Sequence, residues 1–109
     1  MSNVLFDLEK VINKNKNKNI KQSYTAFLFK KGKSFSIKKL NEEFKELKFS
    51  LKKKNRSNII HESADLIYHL MVLLVFKKIK LHSIFNELKK RTKLSGIEEK
   101  RRRTYVRSK

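Results

Sequence analysis

Glu62-Ser63-Ala64-Asp65-Leu66-Ile67-Tyr68-His69-Leu70-Met71-Val72-Leu73-Leu74-Val75-Phe76 decides the fold. No glycine or proline interrupts it, and it reads as the body of a helix from about Asn58 to Lys78. From Leu66 on, the helix is apolar nearly all the way round. A helix apolar on every face has to be buried on every face. The rest of a 109-residue chain can hardly cover it, so the expected solution is a second copy of the same chain. The apolar run itself, Leu66 to Phe76 with His69 inside it, is well short of the roughly 20 residues a bilayer span needs.

Working outward, Asn55-Arg56-Ser57 is a turn short enough to send the preceding helix back antiparallel. That helix is expected to start at a cap on Ser34 or Ser36. It carries Ile37, Leu40, Phe44, Leu47 and Leu51 at steps of three and four, and Lys52 to Lys54 close it favourably for its dipole. Lys30 to Lys33, with Gly32, make a basic turn, and Ser23 caps a short segment over Ser23 to Phe29. The Asn/Lys alternation from Asn13 to Asn19 reads as a solvated linker. Before it, Ser2 or Asn3 caps a first helix with Val4, Leu5, Leu8, Val11 and Ile12 on one side. On the other flank a last helix runs from Leu81 to Arg91, with Leu81, Ile84, Phe85 and Leu88 facing inward. The expectation is an all-α domain over residues 1–92, a small helical bundle completed by homodimerisation, with a basic tail over 93–109.

Composition narrows the chemistry. There is no cysteine, so disulfides and thiolate metal sites are excluded. Asp7 and Glu9 break the only early apolar stretch, which argues against a signal peptide and for a cytoplasmic protein away from membranes. The net charge of +19 invites a polyanion partner. Most of it is equally explained by a bias toward Lys and Asn, and no specific nucleic-acid partner is expected.

In so basic a chain the acids stand out. Glu43 and Glu46 are three positions apart, and so are Glu62 and Asp65. Helical spacing puts each pair on one face, and the antiparallel hairpin sets the two pairs at similar heights. Clustered carboxylates repel unless a cation holds them, and an all-oxygen donor set suits magnesium. Glu43, Glu46, Glu62 and Asp65 are therefore the expected Mg2+ ligands and catalytic residues. Some of Lys30, Lys31, Lys33, Lys38 and Lys39 serve as a phosphate clamp beside them. His69 reads as a core histidine with a satisfied hydrogen bond, and His61 and His82 as surface residues whose spacings make no zinc pattern.

Ser23-Tyr24-Thr25-Ala26, Gly32, Lys39, Glu42-Glu43 with Glu46, the run from Glu62 and Ala64-Asp65 to Leu70, and Glu87-Leu88 with Arg91 together resemble phosphoribosyl-ATP pyrophosphatase. The resemblance covers about Val4 to Arg91. The acid signatures alone indicate the broader MazG-like all-α nucleotide pyrophosphatases. The chain departs from the family's usual pattern with Asn41, where a glycine is common, and at Phe35-Ser36. What the resemblance implies is magnesium-dependent hydrolysis of phosphoribosyl-ATP to phosphoribosyl-AMP and pyrophosphate, in histidine biosynthesis. Ser23, Tyr24, Lys33, Lys38 and Lys39 then become substrate-binding candidates. Two rivals differ in substrate: a pyrophosphatase that clears ordinary or damaged nucleoside triphosphates, and a basic helical nucleic-acid binder suggested by charge alone.

Overall fold

The computed structural model describes residues 3–93. Among them are five helices and no strand: α1 Val4–Asn15, α2 Tyr24–Lys31, α3 Lys33–Lys52, α4 Arg56–Phe76 and α5 Leu81–Arg91. The chain is all-α, as expected. Helices α1 to α4 form one compact unit, and α5 belongs to a second. Beyond Lys93, the expected basic tail lies outside the described residues.

Helix α1 starts at Asn3, whose side chain accepts from the Leu5 N–H at 2.8 Å. Ile12 is fully buried, whereas Val4 and Val11, expected on the same side, are exposed. The helix continues through Asn13 to Asn15, into the tract expected to be linker. Lys is a good helix former and Asn only mildly unfavourable, so they do not end a helix by themselves. Asn19 makes the turn instead. Its side chain accepts from the Lys21 N–H at 2.9 Å, and its carbonyl accepts from Gln22 and Ser23.

Ser23 caps α2 as expected, accepting from the Ala26 N–H at 3.1 Å. Its hydroxyl also donates to the Asn15 carbonyl at 3.4 Å, which ties α2 to the end of α1. The expected basic turn over Lys30 to Lys33 shrinks to one residue. Lys30 and Lys31 finish α2, Lys33 starts α3, and Gly32 alone joins them at φ 98°. A side chain there would sit in the left-handed region that L-residues avoid. Neither Ser34 nor Ser36 caps α3. Gly32 holds the cap position, and Ser36 is fully buried one turn in.

Helices α3 and α4 form the dominant packed pair, an antiparallel hairpin joined through Lys53 to Asn55. Asn55 caps α4 by accepting from the Asn58 N–H at 3.1 Å, so α4 begins two residues before the expected start. It ends at Phe76, short of Lys78, in a two-bond C-terminal lock. The Ile79 N–H donates to the Leu74 carbonyl, and the Lys78 N–H to that of Val75. This motif wants a left-handed residue between, usually glycine, and here Lys78 takes φ 58°. Lys78→Gly is therefore expected to raise stability by about 1 kcal/mol, read from a denaturant midpoint shift without a change in slope.

The apolar steps along α3 leave open which of its sides faces inward. Ser36 and Ser50 are buried and Glu43 points between the helices, while Ile37, Phe44 and Leu51 are exposed. Periodicity fixes which residues share a stripe. It does not fix whether this chain or another molecule covers it. Glu43 turns inward on α3 whereas Glu46 is exposed, and Leu40 and Leu47 of the apolar stripe are half-buried. Likewise on α4, His69, Met71 and Val72 are buried while Ile60, Ile67 and Leu70 are exposed. A cleft of about 640 Å³ runs along the apolar side, lined by Ile37, Leu40, Phe44, Leu66 and Leu70 among others. By length and composition α4 could cross a bilayer, but Glu62 and Asp65 within it approach the acids of α3.

Two aromatic ties hold α2 against α4. The Phe29 and Phe76 rings stack at 4.1 Å, and Thr25 Oγ1 and Tyr68 OH share a hydrogen bond of 2.6 Å. A double-mutant cycle on Thr25→Val and Tyr68→Phe is expected to give a coupling of about 1 kcal/mol.

Within the second unit, Leu81 is buried, Ile84 and Phe85 are half-buried and Leu88 is exposed. The inward reading thus holds for the first turns of α5 and not for its last.

Candidate metal centre

Glu43 and Glu46 come from the middle of α3, and Glu62 and Asp65 from the second and third turns of α4. The hairpin brings one carboxylate oxygen each of Glu43, Glu46 and Glu62 within 4.8 Å of one another. The same holds for a ligand atom each of His61, Glu62 and Asp65, with Glu62 common to both sets. The expected single cluster of four is thus two overlapping trios. Asp65 leans toward His61, 3.3 Å from its Nε2, though it still acts electrostatically on Glu43.

These carboxylates sit uneasily without a cation. Burial, then Glu46 and Asp65, push the Glu43 carboxyl up to about 7. Burial and Glu46 also raise that of Glu62. Glu43 Oε2 and Glu62 Oε2 are buried with no hydrogen-bond donor, and the side chain that both acids meet is the Glu46 carboxyl, itself an acceptor unless one of the three is protonated. Such orphans are rare in folded proteins and ask for a missing group.

His69 is the site residue that the sequence reading misjudged. It is buried, as expected, but its hydrogen bonds are not satisfied: Nδ1 has no partner, and Nε2 stands 3.7 Å from Glu43 Oε1. Its spacing held the signal, because it lies four residues after Asp65 and seven after Glu62, on the carboxylate face. Burial lowers its pKa, so the imidazole is neutral in the physiological range. His61 is exposed, as expected, yet its spacing of four to Asp65 brings it to the rim of the site.

The remaining candidates divide. Tyr24, about half exposed, stacks on Tyr68 at 6.2 Å and meets His69 edge-on at 6.0 Å, beside the acids. Lys39 pairs with Glu42 Oε2 at 3.3 Å and interacts with Tyr24 and Glu43, so it stands at the same mouth. Lys38 lines the apolar cleft with Ile37 and Phe44. Lys33 is exposed at the first position of α3. The Ser23 hydroxyl is engaged in capping and in its bond to Asn15.

An all-α hairpin presenting two acid pairs to one another is the arrangement of the MazG-like nucleotide pyrophosphatases, and that is the class to which fold and site point. Sequence comparison narrows it. The profile of the phosphoribosyl-ATP pyrophosphohydrolase family matches residues 5–92, and the chain belongs to that family. It is 41% identical over 103 residues to the phosphoribosyl-ATP pyrophosphatase of Ruthia magnifica, covering 94% of this chain and 98% of that one. The phosphoribosyl-ATP pyrophosphatase of Clostridium botulinum is 40% identical over 103 residues, 94% of each chain. The histidine biosynthesis bifunctional protein HisIE of Helicobacter hepaticus is 43% identical over 102 residues, 94% of this chain but 44% of that protein.

Proposed function

We propose that this chain hydrolyses phosphoribosyl-ATP to phosphoribosyl-AMP and pyrophosphate, in the cytoplasm, as a step of histidine biosynthesis, with magnesium held by Glu43, Glu46, Glu62 and Asp65. Family membership supports the substrate. The observation carrying the metal is the carboxylate trio with its two buried, unpartnered oxygens. The donor set is all oxygen on the α3 side, which fits a hard divalent cation that keeps several waters. Bound there, magnesium would neutralise charge developing on the phosphates.

The chain's own residues do the rest. One water adds across the α–β phosphoanhydride, and a carboxylate not fully engaged by metal takes its proton. The half-exposed ring of Tyr24 offers the substrate a flat surface beside the acids. Lys39, now paired with Glu42, can exchange that partner for a phosphate at the same mouth. Lys33 and Lys38, exposed at the start of α3, are the further candidates for contact with a phosphate of the substrate.

The decisive assay is release of pyrophosphate from phosphoribosyl-ATP, with and without Mg2+, against a panel of ordinary nucleoside triphosphates. Turnover that prefers the ordinary triphosphates would replace the proposed substrate. Stability provides a second check. In the folded apo protein Glu43 keeps its proton up to about pH 7, whereas the unfolded chain loses it near its ordinary value of 4.5. Ionisation in the fold is thus the costly state, and the site's contribution to apo stability falls as pH rises between those values. Mg2+ needs the ionised carboxylates, so its stabilising effect should be larger near pH 8 than near pH 5. Thermal melts with and without Mg2+ at the two pH values check this; an equal shift at both would contradict it.

We also propose that the working form is a homodimer whose seam is the Ile37, Leu40, Phe44, Leu66 and Leu70 cleft, a surface that the described residues leave open to water. Exposed apolar surface of this kind on both helices of a hairpin marks an interaction site.

A further inference from the structure

His69 is the one buried polar side chain at the centre that the proposed chemistry leaves without a task. Its side chain is 5% exposed, and the Tyr68 and Tyr24 rings meet the imidazole nearly at right angles, at 5.2 and 6.0 Å. Those contacts restrict its rotation. Nδ1 has no partner, and Nε2 faces Glu43 Oε1 at 3.7 Å, about 0.7 Å beyond a good hydrogen bond.

Of the two neutral tautomers one fits. A Glu43 that holds a cation is ionised and can only accept, so in that state the nitrogen facing it has to carry the hydrogen. The other tautomer would bury an N–H at Nδ1 with no acceptor and turn a lone pair toward the carboxylate, which is costly on both counts. A hydrogen bond to Oε1 would leave Oε2, the buried oxygen with no hydrogen-bond partner, free for a cation.

We propose that His69 is a positioning residue: its Nε2–H fixes the Glu43 carboxylate in the orientation that receives the divalent cation. This rests on the reading of the acid cluster as a metal centre. It assigns His69 no contact with substrate and no proton transfer. Hydrogen-bond donors behind a metal-binding side chain are typically worth about 10–100-fold in metal affinity or activity.

The test has two parts. Long-range 1H–15N NMR on the wild-type protein with Mg2+ at a pH above 7, where Glu43 is ionised, reads the tautomer without any mutation. Nε2–H is expected, and Nδ1–H would overturn the proposal. The second part compares His69→Gln with His69→Met, nearly equal in shape and different in having a donor. Binding of Mn2+ alone is followed by calorimetry, and kcat and KM for phosphoribosyl-ATP are measured beside it. His69→Met should bind Mn2+ about 10–100-fold more weakly and lose kcat to match, with KM little changed. His69→Gln should recover most of both. A merely structural histidine predicts that Gln, buried without a partner, does no better than Met, and that result would overturn the proposal. So would a folded His69→Met that binds Mn2+ like the wild type. If His69→Met does not fold, His69→Gln decides alone: near-wild-type Mn2+ affinity supports the proposal, and a loss of about a hundredfold refutes it. A wild-type protein that binds no Mn2+ ends the metal reading and this one together. One that binds Mn2+ but leaves phosphoribosyl-ATP intact ends only the substrate assignment, since the Mn2+ comparison still decides His69.

Discussion

Glu46→Gln, Glu62→Gln and Asp65→Asn are each expected to lower turnover by about a hundredfold or more while leaving the metal-free protein as stable as before, or more so. Each exchange preserves size and removes one charge from the acid cluster. A bound cation contributes several kcal/mol to transition-state stabilisation, and each 1.4 kcal/mol, roughly, is tenfold in rate. The stability half follows from the geometry. Glu43, Glu46 and Glu62 place oxygens within 4.8 Å of one another, and burial with mutual repulsion raises the Glu43 and Glu62 carboxyls above their ordinary values. Removing a charge relieves that repulsion. A structural role for the acids predicts the opposite pairing, lost stability with activity retained while the protein stays folded. Melting temperature and turnover on the same three variants, with and without Mg2+, separate the two. Normal turnover in all three at saturating Mg2+ would remove the carboxylate centre.

Leu70→Lys and Phe44→Lys are expected to abolish the dimer. Both residues are close to half exposed in the single chain, at 46% each, and both line the α3–α4 cleft. In a twofold interface every substitution counts twice. Full burial of one large apolar side chain is worth roughly 1.5–3 kcal/mol, and about half of each remains to be buried on association, so the symmetric pair weakens it by about 1.5–3 kcal/mol before the charge is counted. Light scattering at micromolar concentration should find the wild type as a dimer and the variants as monomers, unfolded or aggregating. Leu73 and Leu74 are less informative targets, because they are half-buried within their own chain and would mix folding with assembly. A well-folded, fully active wild-type monomer would defeat this reading.

The hairpin and its two acid pairs were legible because helical spacing is a local rule. Residues three apart share a face wherever the helix goes, and a three-residue link admits only an antiparallel return. The caps at Asn3 and Ser23 were legible for the same reason. What local rules could not give was the partner of each face. Nothing in the steps from Ile37 to Leu51 says that Ile37, Phe44 and Leu51 stay exposed while Ser36 and Ser50 turn inward. That outcome depends on what α4 sets against α3, where Glu43 meets His69. His69 escaped for the opposite reason. Its spacing from Asp65 and Glu62 was in view, but the apolar run around it favoured a core residue. Burial and proximity to the acids are compatible, and His69 has both.

The one-residue join at Gly32 has a consequence for how this sequence can change length. Helix α2 carries Tyr24 and helix α3 carries Glu43, and nothing between the helices can absorb an extra residue. An insertion there would continue one helix by about 100° of rotation, swinging either the tyrosine or the carboxylate off the shared mouth. The stretch from Lys16 to Gln22 is different: solvent-facing and outside any helix, it can lengthen while Ser23 still starts α2. Insertions and deletions tolerated by this protein should therefore gather before Ser23 and be absent at Gly32, and a library of single-residue insertions selected for growth without histidine would show it.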